Sequence, residues 1–400
     1  MHETRVVFTK FCIEKGYFEF TCSIYGGENI VKEDTIFFRF NTPVIPSNEL
    51  IAIACSTLCG TKYSEIEYDL PLYRKTIQEI EEFTKAKIIT AWQIGLLKKT
   101  SANIKRICTK QKKTRTSAIL NFSGGFDSLA TLALVPGNTK LVSMDFGGWF
   151  EREKEFFKEF DTCIVTTNFR QLKYDRNSWT FMGVGSILLS DYYGAKYNIF
   201  GTIMEAARSQ IRVKPSGVDT LKTYPFSAAG MKDTRYSNGL TEIGTVLLMC
   251  HYYPTLLNRS LQSLAAKNSE KRYRKQVLSQ IVFRKFNYDI EIDLIPPPTI
   301  EKIPFGSNLA TDFLSLYELK HVGLEVVNHT MSDIPQEAIQ MAESMGLTFY
   351  ERIHPAFIQT IPKRYRNTYL NKLKVAGVVP YTKLDYEELE IVSKYLDTNA

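Results

Sequence analysis

Hydrophobic and polar residues alternate along the first 45 residues of the chain in the manner of β-strands. The alternation is clearest in three segments, separated by glycines, at residues 5–9, 17–21 and 35–40. Such alternation indicates strands with one buried face, and the glycines between them favour hairpins. Two helices are predicted next, near residues 48–59 and 73–98. We therefore expect an N-terminal α+β domain over residues 1–100.

From about residue 117 the pattern changes to strands that alternate with helices. Short apolar runs, typical of strands buried on both faces, occur at 117–122, 140–146, 162–167 and 197–201. Helical segments follow the first three runs, at 129–134, 151–160 and 178–193. Strands separated by helices indicate parallel pairing with right-handed crossovers. The prediction is an α/β fold, a doubly wound parallel sheet over residues 115–255.

The rest of the chain is predicted to be mostly helical. Helical periodicity is clear over residues 335–345 and 384–396, and three consecutive prolines at 296–298 interrupt the region. We expect a C-terminal mainly helical region over residues 256–400. The basic segment 98–115 is interpreted as the connector between the first two domains.

Composition places the chain among ordinary folded proteins. Apolar residues make up 44% of the 400 positions and charged residues 23%, which is typical of globular domains. No apolar run approaches the roughly 18 residues that span a bilayer, and the N-terminus lacks the apolar stretch of a signal peptide. Seven scattered cysteines argue against a disulfide framework. The expectation is a cytoplasmic protein with no membrane association.

The net charge of +7 is unevenly distributed. Eight basic residues and no acidic one lie between Lys98 and Arg115, and two further basic clusters lie near residues 271–275 and 363–366. Solvated helix faces and a linker would account for these clusters. Attraction to phosphates, of ATP or of a nucleic acid, would account for them equally well. Nucleic acid therefore stays open as a partner, and so, independently of the charge, does a protein.

The sequence Ser123-Gly-Gly-Phe-Asp-Ser128 lies between the first strand of the α/β domain and the helix that follows it. Ligands of parallel sheets bind at the carboxyl ends of strands. The two glycines let the backbone turn tightly and approach a phosphate, and the N–H groups at the start of the helix favour an anion. Asp127 would lie among phosphates, which is repulsive unless Mg²⁺ lies between them.

This hexapeptide resembles the signature of the PP-loop, or N-type, ATP pyrophosphatases, whose fold is adenine nucleotide alpha-hydrolase-like (HUP-like). That superfamily includes the ATP domains of GMP synthetase, asparagine synthetase, NAD synthetase and 7-cyano-7-deazaguanine synthase. The resemblance covers about residues 116–250, and the loop is its specific part. It implies that ATP and Mg²⁺ are the cofactors and that the phosphates are bound by Ser123, Gly124, Gly125, Phe126, Asp127 and Ser128.

The resemblance also implies roles for residues that follow the second and fourth predicted strands. Adenine would be read by backbone groups at the end of the second strand, at Met144, Asp145 and Phe146. Nucleotide contacts after the fourth strand would come from Gly201 and Thr202.

The expected metal ligands are Asp127 and Glu205. An equally good interpretation of Glu205 is an exposed carboxylate on the surface of a helix. Basic side chains could offset charge on the phosphates, and the candidates are Arg208, Arg212 and Lys214. The expected catalytic residues are therefore Asp127, Ser128, Arg208 and Lys214.

The chain departs from the 7-cyano-7-deazaguanine synthases in its cysteines. Those synthases carry zinc-binding cysteines towards the C-terminus, whereas the last cysteine here is Cys250. Cys55 and Cys59 form an isolated pair with no second pair at zinc-finger spacing. We therefore expect a relative with a different substrate domain.

The favoured hypothesis is a ligase that cleaves ATP between the α- and β-phosphates. A carboxylate, amide or carbonyl oxygen of the acceptor (a small carboxylate, a nucleobase or a nucleic acid) would attack the α-phosphate and release pyrophosphate. Nitrogen would then attack the resulting adenylate and release AMP. Sulfur transfer to a nucleobase is an alternative, and Cys108 and Cys250 are the cysteines best placed for it. A non-catalytic, ATP-binding component of a larger complex is a second alternative.

Overall fold

The computed structural model describes residues 5–94, 118–213 and 223–398. By its internal contacts the chain forms two compact units, each assembled from separate stretches of sequence. Among the described residues, the first unit comprises 5–94, 118–123, 138–199 and 223–233. The second unit comprises 124–137, 200–213 and 234–398.

Ten strands form one sheet, which lies almost wholly within the first unit. They are β1 (Arg5–Glu14), β2 (Tyr17–Gly26), β3 (Asn29–Phe40), β4 (Glu65–Tyr73), β5 (Lys87–Ile94), β6 (Ala118–Asn121), β7 (Lys140–Asp145), β8 (Thr162–Thr167), β9 (Tyr197–Phe200) and β10 (Lys232–Thr234). Their order across the sheet is β10-β9-β6-β7-β8-β3-β2-β1-β4-β5. Strands β6, β7 and β8 pair in parallel, as the alternation of strands and helices predicts. The α/β class is therefore confirmed.

Helices accompany the sheet in the first unit and make up most of the second. The first unit holds α1 (Asn48–Cys59), α2 (Arg74–Thr84), α4 (Glu151–Phe157) and α5 (Val184–Tyr193). The second holds α3 (Phe126–Leu134), α6 (Arg208–Ile211), α7 (Glu242–Tyr252), α8 (Leu257–Leu264), α9 (Glu270–Phe286), α10 (Leu309–Val327), α11 (Gln336–Ser344), α12 (Lys363–Val375) and α13 (Lys383–Thr398), with the short parallel strands β11 (Ile303–Pro304) and β12 (Met331–Ser332). The prediction of a mainly helical C-terminal region is confirmed. No helix in the described part of the chain is long and apolar enough to cross a membrane.

The N-terminal strands extend the sheet of the α/β region instead of forming a sheet of their own. Strand β3 pairs antiparallel with β8, and Phe38 lies opposite Thr167. Phe18, Phe20 and Phe38 on the buried face of β2 and β3 stack on one another in the core of the first unit. The two units therefore do not follow the three consecutive ranges 1–100, 115–255 and 256–400.

The prediction of one helix over residues 73–98 is wrong. Helix α2 ends at Thr84. The C-cap residue Lys85 has a left-handed φ of +59°, and the chain continues as strand β5, which pairs in parallel with β4. Ile88, Ile89 and Thr90 of this strand are β-branched, and such side chains suit a pleated surface better than a helix. The basic segment predicted as a connector, 98–115, lies outside the described residues.

The second unit packs the helix that follows the loop against C-terminal helices. Helix α3 contacts α7, α8 and α12, and α9 in turn contacts α7, α8 and α10. The loop and the helices that begin more than 100 residues later therefore share one compact unit, and this arrangement positions the candidate site.

Candidate functional site

The glycine-rich loop turns between the end of β6 and the start of α3. Gly124 has φ +81°, a conformation that glycine adopts without strain. Gly125 is the N-cap residue of α3, and its carbonyl accepts a hydrogen bond from Ser128 Oγ at 2.9 Å. The Gly124 carbonyl accepts another from Ser260 Oγ of α8 at 3.0 Å. The backbone of the loop is thus tied to its own helix and to α8.

Asp127 lies in the first turn of α3 and is held through one of its two carboxylate oxygens. Thr245 Oγ1 of α7 donates a hydrogen bond to Oδ1 at 3.1 Å, and Lys275 Nζ of α9 lies 3.3 Å from the same atom. No described residue bonds to Oδ2. The side chain of Asp127 is 35% exposed, whereas that of Lys275 is 3% exposed. One oxygen is therefore anchored from the inside of the unit, and the other is available to a ligand.

Lys275 belongs to a buried network of charges that joins α7 and α9. Its ammonium lies 3.1 Å from Glu242 Oε1, and Arg274 Nη1 lies 3.5 Å from Glu242 Oε2. Arg274 Nε also donates to Glu270 Oε1 at 2.5 Å. Each buried charge thus has an opposite charge beside it, as buried ions require.

These pairings decide the charge states inside the network. Burial alone would lower the pKa of Lys275, but the carboxylates of Asp127 and Glu242 raise it above its usual value. Burial alone would raise the pKa of Glu242, but Lys275 and Arg274 lower it. Both side chains are therefore ionised around neutral pH, and the ammonium is a fixed positive charge behind the Asp127 carboxylate.

Glu205, expected as a second metal ligand, is buried at the N-terminus of α7. Its Oε1 accepts a hydrogen bond from the backbone N–H of Glu242 at 2.7 Å. Its Oε2 is buried without a hydrogen-bond partner among the described residues. Burial and then the nearby Glu242 carboxylate raise the pKa of Glu205 to about 8, and Asp127 contributes in the same direction. Glu205 is therefore a buried acid and not the surface helix carboxylate that the sequence left open.

Gly201 and Thr202 follow β9 and lie against α3. A Cβ on Gly201 would come within 2.8 Å of the backbone of Ser128, so only glycine fits there without displacement. The carbonyl of Thr202 accepts a hydrogen bond from Ser237 Oγ at 2.8 Å, and the Ser237 Oγ lies 2.8 Å from Thr131 Oγ1 of α3. Both residues therefore serve the packing of the loop helix in this structure.

The predicted basic residues after β9 pair with the C-terminal helix. Arg208 Nη1 lies 2.7 Å from Asp397 Oδ1 of α13, and Arg212 binds the other oxygen of the same carboxylate. Hydrogen bonding from Arg212 lowers the pKa of Asp397 below its usual value. Lys214, the remaining predicted catalytic residue, lies outside the described residues.

The residues expected to read adenine lie in the first unit, at the end of β7. Asp145 is fully buried, its Oδ2 lies 2.7 Å from Lys154 Nζ, and it accepts a hydrogen bond from Thr166 Oγ1 at 3.0 Å. Phe146 is buried against other aromatic rings, while Met144 is half-buried. The Asp145 carboxylate is thus already paired within the first unit.

The residues of the site that sequence reasoning missed are Glu242, Thr245, Arg274 and Lys275. The cluster at 271–275 was interpreted either as a solvated helix face or as a phosphate-attracting surface, yet Arg272, Arg274 and Lys275 are buried. A signal was present for Lys275, because Leu278 and Val282 follow it at helical spacing and place it on an apolar stripe. A lysine on such a stripe must meet a buried negative charge.

No three or more His, Cys, Asp or Glu side chains converge as a metal-binding group in the described part of the chain. Comparison with family models, with curated proteins and with solved structures found no match to this chain.

Proposed function

We propose that the loop at residues 123–128 binds the phosphates of ATP and that the chain cleaves ATP between the α- and β-phosphates to adenylate an acceptor oxygen. We propose the HUP-like fold for this region, because the loop sequence resembles the signature of proteins with that fold. The observation that carries the proposal is Asp127, which lies in the first turn of α3, three residues after Gly124 at positive φ. Backbone N–H groups at such a helix start attract phosphate, and the carboxylate suits a divalent cation between it and the phosphates.

The donor set fits Mg²⁺. Mg²⁺ is bound in nucleotide sites through one or two carboxylates together with substrate phosphates. Oδ2 of Asp127 accepts no hydrogen bond from a described residue, and Oε2 of Glu205 is buried without a hydrogen-bond partner in the described ranges. When bound, Mg²⁺ would neutralise charge that grows on the pyrophosphate as it leaves.

The chain's own residues would act by positioning and by electrostatics. The loop backbone would hold the leaving pyrophosphate, and Ser128 and Arg208 stay the proposed side-chain contacts to it. Arg208 would have to exchange Asp397 for phosphate, since it is paired in this structure. Three points stay predictions. They are the adenine contacts at Met144, Asp145 and Phe146, the role of Lys214, and the identity of the acceptor as a small carboxylate or a nucleobase.

The test is the nature of the nucleotide product. The purified chain is incubated with α-labelled ATP, Mg²⁺ and extracts that supply acceptors, and AMP is separated from ADP. We expect AMP from the wild type and none from Asp127→Asn, which preserves shape and removes the charge. Asp161→Asn, a change at an exposed carboxylate, is the matched control and should behave as wild type. ADP as the product, or AMP that persists in Asp127→Asn, would refute the proposal.

A further inference from the structure

Lys275 lies 148 residues from Asp127 in sequence and contacts its carboxylate in the second unit. The ammonium is 3.3 Å from Asp127 Oδ1 and 3.1 Å from Glu242 Oε1, and it lies 5.0 Å from the centre of the Phe126 ring. An ammonium group has three donors. Two of them face carboxylates, and the ring face of Phe126 is close enough for a cation–π contact.

Neutralising Glu242 does not by itself explain this lysine. Glu242 already has a second cation beside it, because Arg274 Nη1 lies 3.5 Å from its other oxygen. Burying a further ammonium has a desolvation cost of several kcal/mol, which only good ionic contacts offset. The contact specific to Lys275 is Asp127, so the buried charge is directed at the loop carboxylate.

The contacts fix which oxygen of Asp127 is engaged. Thr245 and Lys275 both approach Oδ1, from α7 and α9 respectively. With Oδ1 held from two sides, the carboxylate cannot rotate without breaking a hydrogen bond and an ion pair. Oδ2 is the oxygen that accepts no hydrogen bond or ion pair from a described residue, and it belongs to a side chain that is one-third exposed.

We propose that Lys275 is a positioning residue, which anchors Asp127 through Oδ1 so that Oδ2 is presented to the divalent cation of the metal–ATP complex. This inference rests on the proposed function, since it assigns Asp127 to the metal. Lys275 would bind neither nucleotide nor metal itself. Partners that orient a metal ligand in this way typically contribute about 10- to 100-fold in metal affinity.

The experiment measures Mn²⁺ binding to the full chain in the presence of ATP, by electron paramagnetic resonance of free Mn²⁺. We expect Lys275→Met to weaken Mn²⁺ binding about tenfold or more and Lys275→Arg to recover part of the loss, because it keeps the charge. Thr245→Val should weaken binding in the same direction by a smaller factor. Lys285→Met, on the same helix but paired with Glu351, should leave Mn²⁺ binding unchanged.

Each other outcome overturns the inference. Unchanged Mn²⁺ binding in a folded Lys275→Met variant would make the lysine merely structural. Tighter binding would mean that the ammonium repels the metal. If Lys275→Met does not fold, the Mn²⁺ affinities of Thr245→Val and Lys275→Arg decide the question. Wild-type affinity in both of these variants would refute anchoring through Oδ1. Asp127→Asn separates the two proposals. If this variant binds Mn²⁺ and ATP as the wild type does, the proposed function fails. If Asp127→Asn is impaired and the variants at Lys275 and Thr245 are not, only the role of Lys275 fails.

Discussion

Gly201 approaches the first turn of α3 so closely that a Cβ on it would lie 2.8 Å from both the Cα and the backbone nitrogen of Ser128. Backbone atoms of a helix start cannot move aside as a flexible side chain can. The residue that follows β9 and the residue that ends the loop signature are thus locked together by shape. The loop helix keeps its place partly because position 201 has no side chain.

Gly201→Ala should therefore destabilise the protein. Inserting a methyl group into a packed site costs about 1–3 kcal/mol, and the upper part of this range applies because the obstacle is backbone. Urea denaturation measures the change. Gly137→Ala is the control, since no heavy atom lies within 4 Å of a Cβ built there, and it should stay within about 0.5 kcal/mol of wild type. Equal stability of the two variants would contradict the close approach.

Arg274→Met should reduce the free energy of unfolding by about 3 kcal/mol or more. The guanidinium is buried beside Glu242 and Glu270, and removing one partner of a buried ion pair leaves an uncompensated charge that costs roughly 3–5 kcal/mol. Lys394→Ala breaks a pair with Glu390 in which both side chains are mostly exposed, and it should cost less than about 1 kcal/mol. A loss below about 1 kcal/mol for Arg274→Met would show that the network is not stabilising.

Glu318→Gln should change how stability depends on pH. Burial raises the pKa of Glu318 from 4.5 to about 8, although Arg274 opposes the shift. The folded protein therefore keeps a proton that the unfolded chain releases above pH 4.5. The contribution of this proton to the free energy of unfolding is fully present below pH 4.5. It is lost as pH rises towards about 8, by about 1 kcal/mol per pH unit.

Urea midpoints of wild type and Glu318→Gln at pH 5, 7 and 9 test this prediction. Because the glutamine side chain cannot ionise, the stability of the variant relative to that of the wild type should increase at each step upward in pH. Glu387→Gln, at a largely exposed carboxylate, should follow the wild-type curve. Parallel curves for wild type and Glu318→Gln would mean that Glu318 ionises normally in the folded state.

Native-state alkylation should distinguish Cys250 from Cys12. Cys250 is buried on α7, and burial raises the pKa of its thiol to about 12, which leaves almost no thiolate at neutral pH. Cys12 is exposed on β1. Mass spectrometry after iodoacetamide treatment should find Cys12 labelled long before Cys250. Equal rates would support Cys250 as a candidate for sulfur transfer. The other candidate, Cys108, lies outside the described residues.

Local patterns in the sequence predicted the elements that surround the loop. Strands β6, β7 and β8 are short apolar runs, and the helical segments between them indicated parallel pairing. A tight glycine turn followed by a helix was likewise expected from the hexapeptide, although the helix begins at Phe126 and not at Leu129. The failure at residues 87–94 has a local cause as well, because a short apolar run cannot be assigned to a helix or a strand by periodicity alone.

The surroundings of Asp127 were decided by tertiary structure alone. Thr245, Glu242 and Lys275 lie on two helices that begin more than 100 residues after the loop. The apolar stripe beside Lys275 indicates a buried lysine, but it does not indicate which carboxylate the lysine contacts. Only the packing of α7 against α3, and of α9 against α7, brings opposite charges within about 3 Å of each other. The sequence by itself determined where an anion-binding turn forms, because backbone conformation is local, whereas the charges that hold its aspartate depend on contacts between distant segments.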